Sequence, residues 1–328
     1  SQIQAMAIAQ KGKRISYDLP VNGHRQAGST FKMFVLTKAV ERKINPYATK
    51  YLSAPFLESD GTRIQTYEHT YSGRIPLTQA TLLSDNTVYA RLTLDVGPKP
   101  IADLAHEMGI QAQLKPVPTI GLGVNAVSPL DLASAYATLA DGGVAHDPSI
   151  LTKVVFPGGH AEAASKPRGK RVVDEKVAGV VTKILEANVQ SGTGTAAALP
   201  GRPAAGKTGT TDSFADAWFA GWVPQLTTIA WVGYPTRERP MRNVHGIAGV
   251  TGGTLPAQIW HAFMTDALQG QPVEQFASPG APPFKPWCGR YQFARTFRDA
   301  RKHSGTCEHK QKHKKSKTTT RNKTATAK

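Results

Sequence analysis

The sequence is poor in cysteine. Its 328 residues include two, Cys288 and Cys307, both near the C-terminus. Neither is joined by a second cysteine, or by histidines in a spacing that would make a convincing zinc site. Two interpretations of the pair remain open, a disulfide formed in an oxidising compartment or two unpaired thiols.

The sequence also lacks a long hydrophobic run and an evident signal peptide. Its longest uncharged stretch, residues 217–235, carries Pro224, Gln225 and two threonines in the middle, which favours a hairpin turn over a lipid-spanning helix. The chain starts with Ser1 rather than Met, so we interpret it as a fragment of a longer protein, for which a missing anchor has no meaning.

Acidic residues are scarce at the C-terminal end. The net charge is +17, from 40 Lys and Arg against 23 Asp and Glu. From Arg290 onward thirteen basic residues face two acidic ones, so this end contributes +11 and residues 1–289 contribute +6. We therefore predict a mildly basic domain over residues 1–270 and, over residues 271–328, a proline-containing and then basic tail that is disordered from about Ser304.

Apolar periodicity predicts the elements of the domain. The hydrophobic content of 40% is enough for a sizeable core. Helical spacing occurs in residues 30–43, 77–83, 88–96, 129–139, 174–189 and 255–268. Residues 215–223 and 226–234 are rich in aromatic and β-branched residues and predict a β-hairpin, with Lys207-Thr208-Gly209 on the strand before it. Strands near both ends and a helical middle predict an α/β protein with a helical subdomain.

Ser29 and Lys32 form the first of three short motifs with catalytic potential. Residues i and i+3 share a helix face, so the lysine amine lies near the serine hydroxyl at the helix start. A neutral Lys32 is a suitable base for activating Ser29, whose backbone N–H is available to an oxyanion. Taken alone, the pair also fits a helix cap followed by a solvated lysine.

Ser84-Asp85-Asn86 is the second motif and lies between two predicted helices. Alternation directs Ser84 and Asn86 into one cleft, where one side chain relays a proton and the other holds a substrate amide. Taken alone, the motif is also compatible with a polar loop.

Lys207-Thr208-Gly209-Thr210 is the third motif. A cation, two hydroxyls and a glycine that permits close approach suit a carboxylate and an extended peptide at a strand edge. Lys207 is also expected to stay charged, which favours the neutral form of Lys32. Taken alone, the motif is also compatible with an ordinary turn.

The ordered trio resembles the active-site-serine enzymes that recognise penicillin, and further segments extend the resemblance over about residues 1–270. They are similar to the transpeptidase domain of a class A (bifunctional) penicillin-binding protein of actinobacterial type. The matching segments are 26–32, 122–123, 128–136 with 141–143, 206–211 with 216–221, and 252–260.

This resemblance implies a β-lactamase/D,D-transpeptidase-like α/β fold, with an antiparallel sheet flanked by helices and a helical subdomain. It implies that Ser29 is the acylated nucleophile, Lys32 its base and Ser84 a proton relay. The residues that it implies for substrate binding are Asn86, Lys207, Thr208, Gly209 and Thr210. The backbone N–H groups of Ser29 and Thr210 form the oxyanion hole.

The resemblance further implies a serine D,D-transpeptidase that cross-links peptidoglycan stem peptides and is inhibited covalently by β-lactams, without metal or organic cofactor. The expected location is the extracytoplasmic face of the membrane or the cell wall. A glycosyltransferase domain and a membrane anchor are expected upstream, and residues 3–8 are expected within the family's first sheet hairpin.

Three rival functions stay open. A class A β-lactamase shares the trio but needs a deacylating glutamate in a Glu-x-x-Leu-Asn segment, and none of Glu107, Glu162, Glu175 and Glu186 opens one. A non-catalytic penicillin sensor shares the fold. A nucleic-acid-binding protein is disfavoured, because the basic tail has no aromatic residue after Phe297 and no recognised module. An electrostatic role for the tail on anionic wall polymers remains a hypothesis.

Overall fold

The computed structural model describes residues 2–9, 17–164 and 168–300. Nine α-helices lie in these ranges: α1 Leu19–Asn22, α2 Lys32–Glu41, α3 Leu77–Leu82, α4 Asn86–Val96, α5 Pro98–Glu107, α6 Pro129–Ala140, α7 Glu175–Ser191, α8 Leu255–Ala267 and α9 Phe297–Ala300. Short 3-10 helices cover Gly28–Phe31, Ile120–Leu122, Thr195–Ala197 and Asp212–Phe214.

The strands of the described ranges pair antiparallel. They are β1 Arg25–Gln26, β2 Lys50–Ser53, β3 Phe56–Leu57, β4 Arg63–Ile64, β5 Gly73–Pro76, β6 Ala126–Val127, β7 Val144–Ala145, β8 Lys153–Val155, β9 Ala161–Ala163, β10 Lys170–Arg171, β11 Ala205–Thr210, β12 Asp216–Val223, β13 Leu226–Gly233, β14 Arg242–Val244 and β15 Ile247–Gly249. The main sheet has the order β11-β12-β13. Val223 faces Leu226 across the turn, which confirms the predicted hairpin and the strand before it.

Helices cover both faces of this sheet. Along β12, side chains alternate between faces, so Trp222 packs edge-on against Tyr136 of α6, with ring centroids 5.8 Å apart. On the opposite face Phe219 packs against Trp260 of α8 at 5.2 Å. The expected antiparallel sheet flanked by helices is therefore confirmed.

Capping residues set where the helices begin. Ser128 and Asp131 form a reciprocal capping box at the start of α6. Asp174 caps α7 by accepting a hydrogen bond from the Lys176 N–H. Asp85 caps α4, which therefore begins at Asn86, two residues before the predicted start.

Helix α2 is the centre of the helical part. Its residues from Lys32 to Val40 are almost all buried, and it contacts α4, α5 and α7. Because so many neighbours surround α2, its apolar residues extend beyond a single stripe. The packing holds the end that carries Lys32 in a fixed position.

The expectation for residues 3–8 is wrong in this structure. Among the described residues, the segment 2–9 forms one bridge, between Gln2 and Ser149, and Ile3 N–H donates to Ser149 O. Met6 and Ile8 are exposed. Without continuous pairing to a neighbouring strand, this apolar segment does not form a sheet strand.

A segment that the sequence placed in the tail returns to the domain. We call residues 284–300 the C-terminal return. Its backbone is tied to the domain by hydrogen bonds from Lys285 N–H to Lys43 O, from Leu52 N–H to Gln292 O and from Leu57 N–H to Arg295 O. The boundary at residue 270 stays a prediction, and the segment from Ser304 lies outside the described residues.

Arg91 joins the C-terminal return to α4, so we predict that substituting it has a large effect on stability. Its buried guanidinium donates to the carbonyl oxygens of Ala294, Ala54, Thr87 and Pro55 at 2.7 to 3.2 Å. Substituting alanine leaves several buried carbonyls without donors, so we expect Arg91→Ala to lower the free energy of unfolding by about 3 kcal/mol or more. Urea unfolding measures this loss.

Arg74→Ala is the matched control. Arg74 is exposed and stacks over the Phe293 ring at 4.4 Å, also contacting the C-terminal return. We expect this variant to lose less than about 1 kcal/mol, because exposed cation–π pairs contribute little. Equal losses of unfolding free energy in Arg91→Ala and Arg74→Ala would contradict the anchoring role of Arg91.

Cys288 is disulfide-bonded, which supports the first of the two interpretations of the cysteines for this residue. Cys307 lies outside the described residues. None of the described helices is long and apolar enough to cross a membrane.

Candidate active site

Ser29 lies on a tight turn that leads into a helix. The 3-10 helix Gly28–Phe31 continues directly into α2, so Ser29 precedes Lys32 by one turn as predicted. Gly28 has a positive φ of 55° and its N–H donates to Gly123 O. Tyr136 O–H, from α6, donates to Thr30 O at 2.8 Å. These contacts hold the half-buried Ser29 side chain at the start of the helix.

Strand β11 runs against this turn. A Cβ at Gly209 would lie 2.7 Å from Ala27 O and 2.8 Å from the Thr30 methyl carbon, so no side chain fits there. The sequence predicted that this glycine permits close approach of a substrate. In the structure it is the turn from Ala27 to Thr30 that approaches Gly209.

The Thr210 backbone has the orientation that an oxyanion hole requires. Thr211 N–H donates to Asp216 O across the ladder, and alternation therefore directs Thr210 N–H to the opposite edge of β11. Gly28 stands at that edge, since a Cβ there would lie 3.1 Å from Thr210 N. Thr210 N–H and the neighbouring Ser29 are thus brought to one edge of the sheet.

Lys32 connects the first motif with the second. Its buried Nζ donates to Asn86 Oδ1 at 2.6 Å, to Ser84 O at 2.6 Å and to Ser84 Oγ at 3.2 Å. No hydrogen bond from Lys32 Nζ to Ser29 Oγ is present within the described ranges. The predicted alternation of Ser84 and Asn86 is satisfied, because both side chains reach the same amine.

Ser84 occupies a strained turn between α3 and α4. Its φ of 53° is unfavourable for a residue with a side chain, and such strain is often retained at functional sites. Asp85 anchors the turn by accepting hydrogen bonds from Thr87, Val88 and Ser53. The strained backbone thus directs Ser84 Oγ toward the two lysines.

Lys207 approaches the same hydroxyl from the sheet. Its buried Nζ donates to Ser84 Oγ at 2.8 Å, to Thr208 O at 3.1 Å and to Thr208 Oγ1 at 3.3 Å. Thr210 Oγ1 accepts a hydrogen bond from Gly252 N–H, which leaves its own proton for a ligand. The third motif therefore meets the other two at Ser84.

Burial lowers the pKa of both lysines. Desolvation brings the pKa of Lys32 to about 7, against an opposing attraction from Asp85. A substantial fraction of Lys32 is therefore neutral at pH 7, as a general base must be.

The expected charge on Lys207 stays a prediction, and burial opposes it in the free site. Desolvation, and then repulsion by the Lys32 charge, hold the pKa of Lys207 well below its usual value. Two ammonium groups around one buried hydroxyl are unfavourable. A carboxylate bound beside Lys207 would raise its pKa again and favour loss of the Lys32 proton.

Two supporting residues were not predicted from the sequence. Asp85 caps α4, holds the turn under Ser84 and favours the charged form of Lys32. Tyr136 holds the Thr30 carbonyl. The capping preference of aspartate before a helix was a usable signal for Asp85, whereas the contact of Tyr136 depends on the packing of α6 against the turn.

Comparison with known proteins agrees with this geometry. Residues 2–248 match the family model of the penicillin binding protein transpeptidase domain. Penicillin-binding protein 1A of Mycolicibacterium smegmatis is 36% identical over 277 residues, which are 77% of this chain and 34% of that protein. Penicillin-binding protein 2D of Bacillus subtilis is 31% identical over 283 residues, 80% of this chain and 39% of that protein. The chain spans little more than a third of the length of these relatives.

Solved structures are similar as well. PonA1 of Mycobacterium tuberculosis in complex with penicillin V superposes with a TM-score of 0.74 at 34% identity, over 83% of this chain and 77% of that one. Penicillin-binding protein 1A of Haemophilus influenzae shares the fold, with a TM-score of 0.72 at 22% identity, over 80% of this chain and 45% of that one. The fold, the meeting of three motifs and the family match lead to one conclusion: the chain belongs to the penicillin-binding protein transpeptidase family.

Proposed function

We propose that this chain is a serine D,D-transpeptidase domain that cross-links peptidoglycan through an acyl-enzyme on Ser29. The observation that carries the proposal is the position of Ser84 Oγ, within hydrogen-bonding distance of both Lys32 Nζ and Lys207 Nζ. Residues more than a hundred positions apart in the sequence thereby meet at one hydroxyl. Such an arrangement can move a proton between a nucleophile and a leaving group.

In the first step, Ser29 Oγ attacks the carbonyl of the penultimate D-Ala of a stem peptide. Lys32 accepts the serine proton, and the oxyanion is stabilised by the N–H groups of Ser29 and Thr210. The C–N bond to the terminal D-Ala breaks as Ser84 donates its proton to the departing amine and receives in its place the proton that Lys32 took from Ser29. The carboxylate of that D-Ala is held by Lys207, Thr208 and Thr210.

In the second step, an amine of a neighbouring stem peptide attacks the Ser29 ester. The same groups take the proton from the amine and return it to Ser29 Oγ, which forms the cross-link and regenerates the enzyme. Asn86 holds an amide of the bound peptide, because its Nδ2 donates only a long hydrogen bond, at 3.2 Å, to Gln65 O.

A penicillin-labelling experiment tests the proposal. We expect one covalent adduct by intact mass, with a lifetime far longer than that of a β-lactamase acyl-enzyme. None of the four candidate deacylating glutamates hydrogen-bonds to Lys32 or Ser84 in the part of the chain described here. Rapid hydrolysis of penicillin would instead indicate the β-lactamase alternative.

A second arm separates an enzyme from a sensor. We expect the chain to release D-Ala from a peptide ending in D-Ala-D-Ala, and to transfer the acyl group when an amine acceptor is present. A chain that forms the penicillin adduct but does neither would be the non-catalytic sensor.

The location of the whole protein is part of the proposal. We propose that it acts on the outer side of the membrane, held by a segment outside this chain, because its substrate is the cell wall. Protease treatment of spheroplasts carrying the full-length protein should degrade this domain. Protection of the domain while an outer marker is degraded would contradict the proposal.

We also propose that the basic C-terminal tail attracts anionic wall polymers. The residues from Arg290 onward carry +11 of the net +17, and +7 of this lies in residues 304–328. Such attraction weakens as salt screens it. Deleting residues 304–328 should leave the penicillin acylation rate unchanged and weaken low-salt pull-down on isolated cell walls. Equal wall binding by both forms would leave the tail as a solubilising end without a partner.

A further inference from the structure

Thr193 stands beside the third motif without an assigned role. It lies on the loop that follows α7, and its side chain is exposed. Its Oγ1 is 2.8 Å from Thr208 Oγ1, the hydroxyl to which Lys207 Nζ also donates. An exposed hydroxyl paired with a substrate-binding hydroxyl is in a position to act on the same ligand.

The backbone around Thr193 is held tightly despite its exposure. Thr193 N–H donates to Leu82 O, at the end of α3 next to the Ser84 turn, and to Asn188 Oδ1, each at 3.2 Å. A Cβ at Gly192 would lie 2.4 Å from Asn188 Oδ1, so this position requires glycine. The loop is therefore docked between the helix before the second motif and the strand of the third.

Asn188 is the support of this arrangement. It is fully buried on α7, its Nδ2 donates to Gly206 O of β11 at 2.9 Å, and its Oδ1 accepts from the Thr193 hydroxyl at 3.2 Å. One amide thus fixes both the strand that carries Lys207 and the hydroxyl beside it. A buried amide with its donor and acceptor both satisfied specifies a single geometry.

The hydroxyl protons show what Thr193 can do. Asn188 Oδ1 can only accept, so the single Thr193 hydroxyl proton goes either to Asn188 or to Thr208. When Thr193 donates to Thr208, the Thr208 oxygen receives hydrogen bonds from Thr193 and Lys207, and its own proton is free for a ligand. When Thr193 donates to Asn188, the Thr208 hydroxyl can donate its proton to Thr193 Oγ1 instead of to a ligand.

We propose that Thr193 is a positioning residue of the carboxylate subsite, held by Asn188, and that its hydroxyl directs the Thr208 proton toward the terminal carboxylate of the substrate. The inference rests on the proposed function and adds a hydroxyl and an amide to its binding machinery. Both lie outside the three motifs.

The test compares acylation of Thr193→Val and wild type by penicillin, which carries a carboxylate, and by its methyl ester, which does not. A hydrogen bond to a charged group is stronger than one to a neutral group, so we expect the second-order acylation constant for penicillin to fall about tenfold in the variant. The loss should appear mainly in the dependence of the acylation rate on penicillin concentration, and less in the limiting acylation rate at saturating penicillin. For the ester, we expect wild type and variant to agree within about twofold.

Two further variants serve as controls. Thr193→Ser keeps the hydroxyl and should restore most of the acylation constant. Thr195→Val removes an exposed hydroxyl two residues away, in the next 3-10 helix, and should behave as wild type. The inference is overturned if Thr193→Val has the wild-type acylation constant for penicillin. It is also overturned if the acylation constants for penicillin and for the ester fall equally in this variant.

Asn188→Asp supplies a second measurement. The aspartate keeps an acceptor for Thr193 but loses the donor to Gly206 O. We expect the acylation constant for penicillin to fall, as in Thr193→Val, and that for the methyl ester to stay unchanged. Thermal unfolding of the variant is measured in parallel. An equal fall for the ester would count against the positioning role. A wild-type chain that forms no penicillin adduct would overturn the proposed function, and this inference with it. A wild-type chain that forms the adduct, beside a Thr193→Val variant with an unchanged penicillin acylation constant, overturns the inference alone.

Discussion

Ser29→Ala is expected to abolish the covalent penicillin adduct completely, because the substitution removes the oxygen that forms the ester. Ser29 is half-buried at the start of α2, at the edge of β11 where Thr210 N–H points. Alanine retains the backbone N–H, so the turn and the oxyanion hole are preserved while the nucleophile is lost. Intact mass spectrometry after incubation with penicillin measures the result.

A serine outside the site makes the result specific. Ser191 is exposed at the end of α7, where its hydroxyl donates to Ala187 O. Ser191→Ala should acquire the adduct at the wild-type rate. An adduct that persists in Ser29→Ala would show that another residue is acylated and would overturn the assignment of the nucleophile.

Lys32→Arg is expected to reduce acylation by about 10²–10⁴-fold, the usual contribution of a positioned general base. Arginine keeps the positive charge but does not give up its proton. Lys207→Arg should keep part of the activity, because binding a carboxylate requires a cation and not a base. Stopped-flow acylation with a chromogenic β-lactam gives both constants.

The pH dependence tests the same division of labour. Because burial brings the pKa of Lys32 to about 7, acylation by the wild type should rise as the pH increases through 7 and Lys32 loses its proton. Lys32→Arg should not show this rise. Small and equal losses for Lys32→Arg and Lys207→Arg, or a flat wild-type profile, would contradict the assignment of Lys32 as the base.

Local patterns were sufficient for the elements that are built from neighbouring residues. The helical spacing of residues 129–139, and the aromatic strands on either side of Pro224 and Gln225, are local patterns whose backbone hydrogen bonds form between near neighbours. The sequence therefore predicted α6 and the β12–β13 hairpin correctly. The early start of α4 was missed because it depends on the Asp85 side chain accepting from two N–H groups.

Contacts between distant residues were not predictable in the same way. The C-terminal return has no lasting apolar period. It is held by hydrogen bonds donated by Arg91 and by Leu52 N–H, together with scattered apolar residues such as Tyr291 that pack against the domain. Residues 3–8 have an apolar pattern, but within the described ranges no strand pairs with them. The apolar pattern of a segment indicates which element it can form. Whether a strand forms depends on which segment lies beside it in the fold.

The three motifs, their order and the chemical role of each residue type followed from the sequence alone, because a serine, a lysine and a carboxylate-binding strand carry their chemistry wherever they lie. Tertiary structure decided which groups meet and in what charge state. Ser84 Oγ is shared by two lysines, and both lose basicity because the fold removes them from water. Desolvation is a property of the packed site and not of any segment, so the low pKa of Lys207 could not be predicted from its motif.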